Sequence, residues 1–65
     1  MREDPKREII RVLEKYGELN VTRIARLAGL NYRVALRYLK ELVEQGLVEE
    51  RRYGRLRIFR LREQR

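Results

Sequence analysis

Apolar residues recur at three- and four-residue spacing through most of this chain. They then give way to rough alternation near its C-terminal end. Ile9, Leu13 and Tyr16 form one face of a first helix over 5–16, with Ile10 and Val12 flanking it. Asp4 is placed to cap that helix, Pro5 suits its first position, and Gly17 ends it. Lys6, Arg7, Arg11 and Lys15 interleave with Glu8 and Glu14, the pattern of a solvated surface. A short extended piece, Glu18-Leu19-Asn20, leads into a second helix over 21–28. Asn20 is its expected N-cap, Ile24, Leu27 and Ala28 its expected inward face, and Gly29 its stop. Leu30 and Asn31 pass directly to a third helix over 32–45, with Asn31 as the cap and Gly46 past the last turn. Ala35, Leu39, Leu42 and Val43 define its predicted buried side, and Arg33, Arg37 and Lys40 project together from the far side.

After Gly46 the pattern predicts a β-hairpin over 47–62, with strands near 47–52 and 56–62 around Tyr53-Gly54-Arg55. Val48, Phe59 and Leu61 are the expected inward residues. Leu56 and Ile58 either face the other way or flank a bulge. The expected architecture is therefore α+β, mainly α, in one domain spanning 1–65: three helices and a two-stranded hairpin. Two short helices joined by a tight glycine-containing turn form a helix-turn-helix.

Size and charge narrow the function. A single small core supplies only about 3–5 kcal/mol of net stability, which favours help from ion pairs or a second copy of the chain. The chain contains neither Cys nor His, so disulfides and the usual zinc ligands are missing, and no cofactor is expected. Ser is missing too, which removes the usual nucleophile and base pairings of an enzyme. No apolar run is long enough to span a bilayer and the charged N-terminus does not resemble a signal peptide, so no membrane association is expected and cytoplasmic localisation is the default. Lys and Arg number 17 against 10 Asp and Glu, a formal charge of +7, with a pI near 10.6. A domain this basic attracts polyanions, of which nucleic acid is the commonest. Charged residues make up 42% of the chain and Arg dominates Lys, a balance suited to ion-pair networks in a thermophilic organism.

Several motifs follow one another without gaps. Ile24-Ala25 stand in the second helix, Gly29-Leu30-Asn31 in the turn, Leu42 to Val48 across the end of the third helix, and Ile58-Phe59-Arg60-Leu61 in the last strand. On these the chain resembles a winged helix-turn-helix domain of the ArsR-like and MarR-like transcription regulators, from about Lys6 to Leu61. The resemblance implies that the third helix is a recognition helix entering the DNA major groove, with the hairpin as a wing. It turns Tyr32, Arg33, Leu36, Arg37 and Lys40 toward DNA. The chain departs from the family pattern at Leu36, often a polar position, and at Arg23, where a capping glutamate is common. ArsR-like metal sensing does not carry over without Cys or His.

The residues fit those roles chemically. Arg33 and Arg37 can each grip guanine or phosphate in a bidentate fashion. Lys40 suits phosphate, and Tyr32 either a backbone hydrogen bond or a place over the core. Leu36 can meet thymine methyls, pack on the core or join an interface. Tyr38 is expected to pack against the first helix or the hairpin. Arg51, Arg52, Arg55 and Arg57 cluster about the hairpin turn, where they can straddle the backbone or enter a narrow minor groove. Thr22 and Arg23 are candidate phosphate contacts through hydroxyl, charge and the free amides of that helix end.

The expected function is a small DNA-binding transcriptional regulator, acting on double-stranded DNA as a homodimer with no small-molecule ligand. The alternative is a protein-interaction or RNA-binding module of a larger assembly. Candidate dimer surfaces are helix one, through Ile10, Val12 and Tyr16, and the outer hairpin face with Leu56 and Ile58.

Overall fold

The computed structural model describes residues 4–62. Helix α1 spans Pro5–Tyr16, strand β1 Leu19–Asn20, helix α2 Val21–Ala28, helix α3 Tyr32–Glu44, and strands β2 and β3 Val48–Tyr53 and Leu56–Leu61. Each helix starts on a side-chain cap. Asp4 Oδ1 accepts from the Lys6 amide at 2.9 Å, and Asn20 and Asn31 accept from the Arg23 and Val34 amides at 2.8 Å each. These bonds satisfy amides that have no partner within the helix.

The strands form one antiparallel sheet in the order β1-β3-β2. The extended piece before α2 is thus a third strand, pairing Leu19 with Phe59 and Asn20 with Ile58. The β2–β3 ladder runs without interruption from Val48 opposite Leu61 to Tyr53 opposite Leu56. There is therefore no bulge, and the pleat turns Leu56 and Ile58 away from the core-facing Val48, Phe59 and Leu61. The connection is a two-residue turn. Gly54 takes φ 65° and Arg55 keeps a negative φ, the signs of a type II′ turn, whose first position favours glycine.

The three helices and the sheet's inner face enclose one core of Ile9, Leu13, Val21, Ile24, Ala25, Ala35, Leu39, Leu42, Val48 and Phe59. Its largest fully buried side chain is Phe59. Truncating such a residue to alanine costs about 3–5 kcal/mol, as much as a domain of this size has to lose.

The helical phases differ from expectation at three places. On α1 the buried stripe is Ile9, Val12 and Leu13, while Tyr16 is half exposed, with the Lys15 ammonium 5.5 Å from its ring centroid. On α2 it is Val21, Ile24 and Ala25, and Leu27 is exposed, with Ala28 only partly buried. On α3 Ala35, Leu39 and Leu42 are buried, and Val43 lies out in solvent about 100° further around the helix. The buried ridge is spaced i, i+3, i+4 on α1 and α2 and i, i+4, i+7 on α3, and in each case a neighbouring apolar side chain is left at the rim. Val12 is accordingly withdrawn from any surface, and Ile10 packs against the core. Of the expected helix-one docking residues only Tyr16 stays exposed.

Candidate nucleic-acid interface

The turn between α2 and α3 is held by backbone geometry. Gly29 adopts the left-handed conformation (φ 72°, ψ 31°), and the Leu30 amide reaches back to the Ala25 carbonyl at 2.8 Å. Asn31 then caps α3, so its first turn leaves the α2 scaffold in one fixed direction. At the other end, Lys6 of α1 pairs with Glu41 of α3 at 2.8 Å. The Glu41 carboxylate, as a hydrogen-bond partner, raises the Lys6 pKa against the opposing effect of burial.

The outward face of α3 carries Tyr32, Arg33, Leu36, Arg37 and Lys40 around a single shallow hollow. Arg33, Arg37 and Lys40 are exposed and form no ion pair among the described residues. The Arg37 guanidinium lies 5.4 Å from the Tyr38 ring centroid, which steadies it without neutralising it. Leu36 is half buried, packing against the core and lining the hollow at once. Tyr32 is 50% exposed, so it does not close over the core.

Tyr32 also belongs to a second hollow, lined by Asn20, Val21, Thr22, Arg55, Leu56 and Arg57. This joins the starts of α2 and α3 to the hairpin tip, and brings Thr22, Tyr32, Arg55 and Arg57 together. Thr22 and Arg23 are exposed. The Arg23 amide, however, already donates to Asn20, so it is not the free phosphate donor expected of that helix end. Asn20 itself was not among the expected interface residues, since its capping role accounted for it. Only the fold shows its place in the wall of this hollow.

The hairpin arginines divide into two groups. On the inner face Glu50 accepts from Arg57 Nε at 2.6 Å and from Arg52 Nε at 3.3 Å. Arg57 also lies 5.9 Å from the Phe59 ring centroid. The hydrogen bond from Arg57, helped by Arg52, holds the Glu50 carboxyl below its ordinary value of about 4.5, although burial works against it. The same hydrogen bond raises Arg57 above its ordinary value. On the outer face Arg60 reaches Glu49 at 3.1 Å and Glu18 at 3.6 Å. By contrast, Arg51 and Arg55 are exposed and make no ion pair among the described residues. The sequence signal for the engaged set is the register: Glu49 faces Arg60 across the ladder, and Arg57, opposite Arg52, is diagonal to Glu50.

No group of three or more His, Cys, Asp or Glu is placed to hold a metal among the described residues. Among them, too, no helix is long and apolar enough to cross a membrane.

A family profile described as winged helix-turn-helix matches residues 6–58. The chain belongs to the winged helix-turn-helix family. Solved structures share the arrangement. One is the homodimeric winged helix-turn-helix DNA-binding domain of a possible ArsR-family transcriptional regulator from Mycobacterium bovis, 35% identical, with TM-score 0.80, covering 88% of this chain and 52% of that one. A MarR family transcriptional regulator from Silicibacter pomeroyi is 31% identical, with TM-score 0.83, covering 89% of this chain and 39% of that one. This winged helix thus spans about half or less of those regulators. A Zα domain from Carassius auratus, solved with Z-DNA, covers 88% of this chain and 90% of its own at TM-score 0.81; at 24% identity it shows the fold alone. No curated protein sequence matches the chain.

Proposed function

We propose that this winged helix binds double-stranded DNA and serves as a transcriptional regulator, with α3 in the major groove and the hairpin tip on the flanking backbone or minor groove. The observation that carries the reading is the outward face of α3. Its three cations stand exposed and unpaired among the described residues, while several cations elsewhere are tied to carboxylates. A helix of about 10–12 Å diameter fits a major groove about 12 Å wide, where arginines reach guanine edges and phosphates. Arg33 and Arg37 are the base-reading candidates. Lys40, Thr22, Arg23, Arg51 and Arg55 clamp the backbone, and Tyr32 joins the two hollows. Arg52 and Arg57 contribute only if they leave Glu50. The described relatives are named as regulators, and one as a DNA-binding domain, which supports the reading.

The proposal includes a homodimer acting in the cytoplasm, two copies setting their third helices about one DNA turn apart. Homodimerisation of the Mycobacterium bovis domain supports this. Tyr53 and Leu56, both exposed on the outer side of the hairpin, offer an apolar surface for it, and Tyr16 is the exposed apolar residue of the helix-one candidate surface. Light scattering at micromolar concentration checks it: a species of only 8.0 kDa would exclude a stable dimer in the absence of DNA.

Fluorescence-anisotropy titration of a mixed-sequence duplex at several salt concentrations tests DNA binding. Wild type is expected to bind at about micromolar or tighter with a steep salt slope. The Arg33→Ala/Arg37→Ala variant, still folded by circular dichroism, is expected to bind about 100-fold more weakly. Absence of binding at low salt, or an unaffected variant, would overturn the reading.

A further inference from the structure

Polar side chains alone would suffice to grip phosphate, yet the hollow on α3 has a leucine in its lining. Leu36 lies one turn from Tyr32, Arg33 and Lys40 and next to Arg37, and all five line the hollow. The cationic rim calls for a polyanion, and the apolar patch within it calls for an apolar group carried by that polyanion. In the DNA major groove one base edge meets this description: the C5-methyl of thymine, which projects beside the acceptor edges of neighbouring guanines. We propose that Leu36 is a specificity-determining residue that reads a thymine methyl, with Arg33 or Arg37 on an adjacent guanine. The inference rests on the DNA-binding reading above and deepens it from affinity to sequence choice. The fold makes it geometrically sound. Leu36 is anchored against the core from beneath and rides on a helix whose start is capped, so its exposed atoms have a fixed position.

The test is selection of preferred duplexes from a randomised pool, followed by replacement of each thymine in the selected site with deoxyuridine. That change removes one methyl and leaves every hydrogen-bonding group in place. For the contacted thymine, wild type is expected to lose roughly fourfold in affinity, the worth of one buried methyl. Leu36→Ala is expected to bind the thymine and deoxyuridine duplexes equally, and Leu36→Met to keep discriminating. Circular dichroism confirms that the variants fold, and the wild-type comparison does not depend on them.

Equal binding of the two duplexes by wild type, or discrimination that survives in Leu36→Ala, would overturn the inference. So would a selection that returns no preferred sequence. In each of these cases the DNA-binding reading stands as long as Arg33→Ala/Arg37→Ala weakens duplex binding by about 100-fold. If wild type binds no duplex at low salt, both readings fall together.

Discussion

The third helix and the hairpin are both rich in cations, but they hold them in opposite ways. On α3, Arg33, Arg37 and Lys40 face solvent with no carboxylate partner among the described residues. On the hairpin, Arg52, Arg57 and Arg60 are gathered by Glu49, Glu50 and Glu18, leaving Arg51 and Arg55 at and near the tip. The difference shows that a count of charges overstates a binding surface. An arginine already satisfied by a carboxylate must break that bond before it meets a phosphate, and the exchange gains little. The hairpin's engaged arginines hold β2 and β3 in register above the core, and the unpaired ones lie at its end.

The sharpest way to break this contrast is to remove two arginines from each region. Arg33→Ala/Arg37→Ala is expected to weaken duplex binding about 100-fold. Arg52→Ala/Arg57→Ala is expected to weaken it by no more than about threefold, while lowering stability by on the order of 1 kcal/mol, chiefly through the loss of the partly buried Arg57–Glu50 hydrogen bond, the Arg52 bond being exposed. Anisotropy and urea melts on the same samples separate the two effects. Equal losses of binding would mean that the Glu50 pairs open freely on DNA.

A smaller effect distinguishes the hairpin tip. Arg51→Ala/Arg55→Ala is expected to cost about tenfold in affinity and to lower the salt slope by about 2, one phosphate contact for each arginine. Stability should stay within about 0.5 kcal/mol, because both residues are exposed and neither has an ion-pair partner among the described residues. An unchanged slope would place the tip away from the DNA backbone.

How far the sequence revealed this arrangement depends on the range over which each feature is decided. The caps at Asp4, Asn20 and Asn31 were legible because the side chain and the amide it accepts from are two or three residues apart. The α+β winged-helix architecture was legible from the change of period after Gly46, and Phe59 and Val48 from the alternation that followed. The choice of Val12 over Tyr16 and of Ala25 over Leu27 was not. Both candidates lie near the apolar stripe, and packing against a partner helix decides which becomes the ridge. Pairing of β1 with β3 was likewise hidden, because Leu19 and Phe59 are far apart in sequence. On the candidate interface, the exposed basic spacing of α3 is a local property. Whether Arg57 is free is not, since it depends on the hairpin register that brings Glu50 beside it.

Replacing Glu50 separates the two roles within one residue. Glu50→Gln keeps the shape but weakens the hold on Arg52 and Arg57. It is expected to raise duplex affinity roughly threefold as those arginines become available, and to lower stability by on the order of 1 kcal/mol. Affinity and stability would thus move in opposite directions. If both fall, Glu50 presents the arginines to DNA instead of withholding them.

The smallest expected effect is the pH dependence that the same carboxylate confers. Hydrogen bonding from Arg57, then from Arg52, depresses the Glu50 pKa below its ordinary value of about 4.5 in the folded protein. The unfolded chain therefore takes up this proton first as the pH falls. The stabilisation from the pair is complete above about pH 4.5, shrinks as acidification proceeds below it, and is gone once the pH has passed through the depressed folded value. Other carboxylates contribute to acid sensitivity, so the informative quantity is the stability of wild type minus that of Glu50→Gln. Urea melts from pH 7 down to about pH 3 should show this difference constant near neutrality and closing on the acid side. Glu50 and Arg57 retain 24% and 27% side-chain exposure, so solvent screening keeps the difference small, and added salt should reduce it further. A difference that persists unchanged at the acid end would mean that Glu50 stabilises the hairpin by packing and not by charge. The contrast between engaged and available arginines would then need another cause.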